Sequence, residues 1–368
     1  MNPSSRSLLE NTFKKYYFDN FDLLHVPSNP HEREFAYKKF DSKLYRHISL
    51  KSDKELHLLL MTQTPSDIYC SNARYSFPTL SMNEKDWKDA DLIFDIDSKD
   101  LQLPCRNFHT CIQCLDCNSF STLCSRCPNC NSNHFKTITL LCKHCINAAK
   151  DETKKLCVLL IDNLGIKKQN IFVYFSGNDG FHIHVIDSQY QNLGSRERAD
   201  IVDYIMLHNM LPNTINKNRL KFKNSKYNQI HNSIIGDKDS TKNISTIKTN
   251  AVTKNISTIK TNAVTKNTRY IIKSIIDPNV TIDVHRIFRL AGSINSKSGM
   301  SKVRCKNLEL FDPFNDACFM DEDPIKIRAN CPIKFILKGK KFGPFKNEYV
   351  TIPKYAAIYM ICKGLAEI

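Results

Sequence analysis

The stretch "DLIFDIDSKD", residues 91–100, places two carboxylates two positions apart at the end of an apolar run. Side chains along a strand alternate between its faces, so Asp95 and Asp97 would share one face and their apolar neighbours the other. Two anions held side by side repel each other unless a positive charge lies between them. Carboxylate oxygens suit Mg²⁺ or Mn²⁺. Taken alone, the stretch favours a half-exposed strand with two solvated carboxylates. A metal-binding strand end is the alternative, and it requires a third carboxylate from elsewhere in the chain.

The composition is that of a soluble globular protein. The chain has 368 residues, 41% hydrophobic and 24% charged, enough for one large or two modest domains. No apolar run is long enough to span a membrane, and the first residues, "MNPSSRSLLENTFKKYYF", contain no signal-peptide core. We therefore expect a cytoplasmic protein without membrane association. In a reducing compartment, the 15 cysteines would be metal ligands or free thiols.

The formal net charge of +16 favours a polyanionic partner such as nucleic acid. Residues 214–274 are the most basic part, with 13 Lys or Arg against two Asp. This part contains the segment "TKNISTIKTNAV" twice, at 241–252 and 253–264. So short a repeat without aromatic residues is typical of an exposed, solvated tether, although its lysines could also contact a phosphate backbone.

A cysteine-rich block, residues 105–145, holds nine of the cysteines. Its C-x-x-C pairs allow two thiolates to bind one tetrahedral Zn²⁺. We assign the inner zinc site to Cys114, Cys117, Cys127 and Cys130. We assign the outer zinc site to Cys105, His109, Cys142 and Cys145. Cys111 and Cys124 stay unassigned and are alternatives to their neighbours. Four protein ligands close each site, so the zinc would be structural.

The segment after the block predicts a helix followed by a hairpin. Apolar residues recur at helical spacing from Ile146 to Leu164, and "NIFVYF" and "FHIHVID" are typical strands. The turn between them, "SGNDG" at 176–180, has two glycines whose neighbouring amides could hold a phosphate. His182 and His184 would share one strand face. By itself, this pattern also fits a glycine-bounded hairpin with a buried structural histidine.

Further along, "TIDVHRIFRLAGSINSKSGM", residues 281–300, places one acid among several bases. Asp283 is followed by Arg286, Arg289 and Lys297. An acid beside cations and small residues is typical of a metal ligand next to a phosphate-binding group.

These motifs together resemble the small catalytic subunit of the archaeal and eukaryotic-type DNA primases, in the archaeo-eukaryotic primase superfamily. The resemblance extends from about Arg33 to about Met300. The motifs occur in the order "REFAYKKF", "RHISL", "YCSNARYSFP", "DADLIFDIDSKD", "CKHCINAAK", "FSGNDGFHIHV", "RERADIVDYI" and "VTIDVHRIFRLAGSINSKSG".

The resemblance implies a DNA-directed RNA polymerase of primase type, a nucleotidyltransferase that makes short RNA or RNA/DNA primers on single-stranded DNA for replication. It implies that Asp95, Asp97 and Asp283 bind catalytic Mg²⁺ or Mn²⁺. It implies that the nucleoside triphosphate is held by Ser176, Gly177, His182, Arg286, Arg289 and Lys297. It also implies a heterodimer with a large primase subunit in the cytoplasm of an archaeon.

Two positions depart from the family pattern. The turn usually carries an arginine where Asp179 stands, and the last motif commonly has a histidine where Asn295 stands. Both departures are expected to weaken the binding of the triphosphate. The cysteine block is also richer than the single zinc site usual in the family.

The implied fold is α/β, a catalytic core of mixed sheets related to RNA-recognition folds. We expect the core at 1–104, 146–194 and 276–368, a zinc-binding module at 105–145, and a helical insertion with the basic repeat at 195–275. The alternatives are a repair or translesion polymerase of the same fold and a non-catalytic zinc-ribbon subunit that binds nucleic acid.

Overall fold

The computed structural model describes residues 1–206 and 276–368. The helices of these ranges are α1 (Pro3–Asp19), α2 (Asp53–Gln63), α3 (Lys143–Asp162), α4 (Ser188–Gln191), α5 (Ser195–Met206), α6 (Pro278–Ile282), α7 (Pro313–Asp316) and α8 (Lys354–Lys363). Local sequence sets several helix ends. The Asn2 side chain accepts a hydrogen bond from Ser5 N at the start of α1, and α8 ends at Gly364, whose φ of 75° is left-handed.

The strands of the first half are β1 (Phe35–Lys38), β2 (Leu44–Ile48), β3 (Asp67–Ser71), β4 (Ala73–Tyr75), β5 (Trp87–Ala90), β6 (Leu92–Asp97), β7 (Thr110–Cys114), β8 (Phe120–Thr122), β9 (Phe135–Thr139), β10 (Ile171–Phe175) and β11 (Gly180–Val185). The strands of residues 276–368 are β12 (Ile287–Arg289), β13 (Ile294–Asn295), β14 (Met300–Ser301), β15 (Val303–Arg304), β16 (Pro324–Cys331), β17 (Phe335–Leu337), β18 (Lys340–Phe342), β19 (Phe345–Pro353) and β20 (Ala366–Glu367).

The central sheet has the strand order β15-β10-β11-β6, with antiparallel neighbours. Residues of β6 and β11 pair so that Asp95 lies opposite His182 and Asp97 opposite Gly180. The other face of β6 carries Phe94 and Ile96, which are buried in the main core. Helix α3 packs against β6 and β11. The alternation predicted for residues 91–97 therefore gives one polar and one apolar face.

A second antiparallel sheet has the order β12-β3-β1-β2. Its edge strand β12 carries Phe288, whose ring centroid lies 6.1 Å from the rings of both His182 and His184. This contact brings the second sheet against the polar face of the central sheet, where it limits access of water to the two histidines.

The cysteine-rich block forms its own antiparallel sheet of order β8-β7-β9. Two-stranded pairs β4-β5, β13-β14 and β17-β18 and the sheet β19-β16-β20 complete the described strands. Helix α8 is buried along most of its length. Near its middle, the Tyr359 hydroxyl accepts a hydrogen bond of 2.7 Å from Leu141 N, next to the last cysteine pair.

The predicted α/β class is confirmed at the level of a mixed α/β chain with several antiparallel sheets. Helix α3, strands β10 and β11 and their turn lie where the sequence predicted them. The predicted insertion at 195–275 begins with α5, and its remainder, including the repeat at 241–264, lies outside the described residues. No helix of the described ranges is long and apolar enough to cross a membrane.

Candidate active site and zinc clusters

Asp95 and Asp97 lie side by side at the end of β6, each with 17% of its side chain exposed. Asp97 forms an ion pair with Lys99. Asp95 Oδ1 lies 3.3 Å from His182 Nε2 but without hydrogen-bond alignment, so this buried oxygen has no hydrogen-bond partner among the described residues. Gly180 is required opposite Asp97, because a Cβ there would overlap Asp97 Oδ1.

The environment of Asp95 disfavours a bare negative charge. Burial raises the pKa of Asp95 well above the ordinary value, and the neighbouring charge of Asp97 raises it further. A buried carboxylate oxygen without a donor, next to a second carboxylate, is the arrangement that a divalent cation stabilises. The pair Asp95 and Asp97 therefore fits Mg²⁺ or Mn²⁺.

The third predicted acid, Asp283, follows α6 and accepts a hydrogen bond of 2.9 Å from His285 N. The carboxylate oxygens of Asp283, Asp95 and Asp97 do not all lie within 4.8 Å of one another. Among the described residues, only the two cysteine clusters bring three or more possible metal-binding atoms this close. Asp277 contacts the residue Asp95 directly: its backbone N donates to Asp95 O at 3.0 Å, and its charge helps to raise the pKa of Asp95. The metal role of Asp283 stays a prediction.

The two histidines of β11 lie in an enclosed, cationic environment. Burial lowers the pKa of His182 and of His184 well below the ordinary value, and the charge of Lys302 lowers both further. Lys302 is 1% exposed, donates to Arg289 O at 3.1 Å and lies 3.2 Å from His184 Nε2. The sequence analysis did not identify Lys302, because its local pattern gives no sign of burial.

The turn at 176–180 is shaped by its own side chains. Ser176 Oγ accepts hydrogen bonds from Asn178 N at 3.3 Å and Gly180 N at 3.2 Å. Gly177 has a φ of 83°, and a Cβ there would lie 3.0 Å from Asn295 Cβ. Asn295 Nδ2 in turn donates to Ser176 O at 3.4 Å. Ser176 and Gly177 therefore fix the turn, and Asn295 joins it to the segment that carries Lys297.

The predicted phosphate-binding cations differ in their surroundings. Arg289 is 10% exposed and forms a 2.6 Å ion pair with Asp67, which also accepts hydrogen bonds from Ser296 N and Oγ. Arg289 thus supports the turn that carries Lys297, whose own side chain is exposed. The charge of Arg286 contributes to the low pKa of His182. Their roles in nucleotide binding remain predictions.

Both predicted cysteine clusters are assembled with the predicted members. The four ligand atoms of Cys114, Cys117, Cys127 and Cys130 lie within 4.8 Å of one another, as do those of Cys105, His109, Cys142 and Cys145. Cys111 and Cys124 belong to neither cluster. Four thiolate or imidazole ligands at such distances are compatible with a closed zinc site.

The whole chain is similar to curated primase subunits. The family described as DNA primase small subunit matches residues 127–305. The DNA primase small subunit PriS of Nitrosopumilus maritimus is 48% identical over 100% of both chains, and that of Cenarchaeum symbiosum is 42% identical over 98% of each. The chain belongs to the DNA primase small subunit family.

Family membership confirms the function class predicted from the sequence, a DNA primase catalytic subunit and nucleotidyltransferase. The PriS protein of Archaeoglobus fulgidus is a more distant relative, 28% identical over 99% of this chain and 98% of its own. Among solved structures, the polymerase domain of Mycobacterium tuberculosis Ligase D in complex with DNA aligns over 54% of this chain and 61% of its own. Its TM-score of 0.30 and identity of 11% are too low to show a common fold.

The raised pKa of Asp95 predicts a pH-dependent stability of the primase subunit in buffer without Mg²⁺ or Mn²⁺. Above about pH 4 the unfolded chain releases this proton while the folded chain retains it. The free energy of unfolding then falls with rising pH, up to the raised pKa. Asp95→Asn removes this dependence, and we expect the variant to be more stable than the wild type at pH 8, by about 1–3 kcal/mol.

Thermal unfolding of zinc-replete protein between pH 5 and pH 9 measures this difference. Asp203→Asn, on the exposed side of α5, is the control and should follow the wild type at every pH. Equal stability of Asp95→Asn and the wild type across the range would mean that Asp95 is already ionised without metal.

Proposed function

We propose that this chain synthesises short RNA or RNA/DNA primers on single-stranded DNA, as the catalytic partner of a large primase subunit. The observation that carries the proposal is the buried, unpartnered Oδ1 of Asp95 beside Asp97. It lies on the same sheet as the phosphate-compatible turn at 176–180. Full-length similarity to PriS proteins supports the partner and the template.

In this proposal Asp95 and Asp97, with Asp283 as the third acid, hold Mg²⁺ or Mn²⁺. When bound, such cations supply charge neutralisation at the attacking 3′-hydroxyl and at the leaving pyrophosphate. The protein's own task is to position the reactants and to neutralise the triphosphate. Lys297 provides an exposed cation, and Ser176 and Gly177 provide a rigid turn. His182, whose lowered pKa keeps it neutral, lies opposite Asp95 on the neighbouring strand.

The division of the chain follows the same proposal. Residues 1–104, 146–194 and 276–368 form a catalytic core related to RNA-recognition folds, and residues 195–275 form a helical insertion. Residues 105–145 form the zinc-binding module, whose two clusters are filled by structural Zn²⁺. The subunit works in the cytoplasm of an archaeon, as its similarity to archaeal PriS proteins suggests.

The test is de novo synthesis on unprimed single-stranded DNA with labelled nucleoside triphosphates, in Mg²⁺ or in Mn²⁺. Labelled short products on unprimed template are expected. Extension of a primed template only would identify a repair or translesion polymerase, and no incorporation on either template would favour the non-catalytic zinc-ribbon protein.

A further inference from the structure

The turn at 176–180 contains no cation of its own, since its sequence is Ser-Gly-Asn-Asp-Gly. A triphosphate that binds there meets Asp179, a partly buried carboxyl. Burial raises the pKa of Asp179, and the charge of Asp97 raises it further. The charge that a triphosphate requires must therefore come from other parts of the chain.

One such charge comes from the C-terminal end of the chain. Lys363, the last residue of α8, donates a hydrogen bond of 2.8 Å from Nζ to Asn178 Oδ1. Asn178 Nδ2 in turn donates to Asp179 Oδ1 at 2.7 Å. The charge of Lys363 is also the largest of those that oppose the raised pKa of Asp179.

The position of Lys363 is fixed by close packing. A Cβ on Gly299 would lie 2.7 Å from Ile358 Cγ2 and 3.5 Å from Cys362 Sγ, so α8 rests directly on the turn that carries Lys297. The Lys363 ammonium also lies 5.5 Å from the centroid of the Tyr359 ring. Helix α8 therefore presents Lys363 where the Lys297 turn meets the turn at 176–180.

Other cations surround the same place. Arg106, from the cysteine-rich block, has a buried Nη1 atom with no hydrogen-bond partner among the described residues. Burial lowers the pKa of Lys363, the charge of Asp179 opposes this, and the charges of Lys297 and Arg106 add to it, so that the pKa is about 8. Several cations and an unused donor around one carboxyl are an arrangement that suits an additional anionic ligand.

The geometry points to Lys363 as a triphosphate-binding residue that supplies the positive charge absent from the turn at 176–180. Asn178 and Asp179 hold its ammonium in place, and Lys297 and Arg106 contact the same triphosphate. The inference rests on the proposed nucleotidyl transfer. The inference also explains why a carboxyl is present in this turn: Asp179 orients Lys363, which comes from another segment, and does not repel the nucleotide.

The experiment compares Lys363→Met with the wild type. Because the variant loses a charge-assisted hydrogen bond to the triphosphate, we expect the KM for nucleoside triphosphate to rise about tenfold or more, with kcat little changed. Lys363→Arg should retain most of the affinity. Lys354→Met, at the other end of α8 and paired with Asp321, is the matched control and should keep the wild-type KM.

A second variant separates binding from simple neutralisation of Asp179. If Lys363 only neutralises Asp179, Asp179→Asn combined with Lys363→Met restores the wild-type KM, and the inference is overturned. If Lys363 binds the triphosphate, the double variant keeps the raised KM. This comparison remains valid even if Lys363→Met alone folds poorly, because the double variant does not leave the Asp179 carboxylate without its cation.

Inorganic tripolyphosphate is the probe that does not depend on catalysis. Tripolyphosphate competes with nucleoside triphosphate for binding to the protein. Its inhibition constant should be higher for Lys363→Met than for the wild type, by about the same factor as KM. An unchanged inhibition constant would overturn the role of Lys363. If the wild type binds tripolyphosphate but synthesises no primer, the proposed primase activity is contradicted. The role of Lys363 is then tested by comparing the tripolyphosphate affinities of the wild type and Lys363→Met.

Discussion

Replacing Asp95 or Asp97 with Asn is expected to reduce nucleotide transfer about a thousandfold or more, while binding of single-stranded DNA stays nearly intact. In the proposed mechanism the carboxylates hold cations that contribute several kcal/mol to the transition state, and each 1.36 kcal/mol is tenfold in rate. We expect the DNA backbone to be bound by lysines and arginines elsewhere. Primer synthesis and DNA binding by fluorescence anisotropy measure the two effects separately.

The same assay decides which acid completes the metal site. Asp283→Asn should reduce transfer as strongly as Asp95→Asn, because the family resemblance gives it the third position. Asp277→Asn is the matched control, since its carboxyl caps α6 and its backbone contacts Asp95. If Asp277→Asn is inactive and Asp283→Asn is active, the third ligand is Asp277.

Removing Cys145 is expected to have the largest effect on stability. Cys145 is 3% exposed and lies in the first turn of α3, the helix that packs against the central sheet. Zinc in such clusters contributes about 10–16 kcal/mol of apparent binding free energy, which is available only to the folded chain. Cys145→Ser should therefore lose one of two zinc ions and lower the melting temperature strongly or prevent folding.

The inner cluster provides the comparison. Cys130→Ser, at an exposed position, should also lose one zinc ion but leave the central sheet intact, with a smaller change in melting temperature. Cys124→Ser, exposed and outside both clusters, should retain both zinc ions. Zinc analysis with thermal unfolding tests all three variants, and a fully stable Cys145→Ser protein without its zinc would contradict the prediction.

The parts of the site that local sequence encodes were predictable. Alternation along residues 91–97 placed Asp95 and Asp97 on one face. C-x-x-C spacing indicated zinc sites but left the pairing open, and the members that we assigned are the ones that the fold brings together. Spacing of this kind works because the ligands are close in sequence and the strand or knuckle geometry is fixed.

Contacts between distant segments were not predictable from one sequence. Lys302 is buried beside His184, and Lys363 reaches Asn178 across 185 positions. Each is a lysine in an unremarkable local pattern, and only tertiary packing removes it from water. The partner of Asp179 was missed for the same reason, since the sequence analysis considered only its own turn and the last motif.

Helix α8 contacts both the cysteine-rich block and the turn at 176–180, through Tyr359 to Leu141 and through Lys363 to Asn178. The two side chains lie one helical turn apart, so a shift of the helix moves both. Thermodynamic linkage then requires that, if zinc occupancy strengthens substrate binding, substrate strengthens zinc retention by the same factor. If the two are coupled in this way, partial loss of zinc would weaken triphosphate binding in the molecules that remain folded.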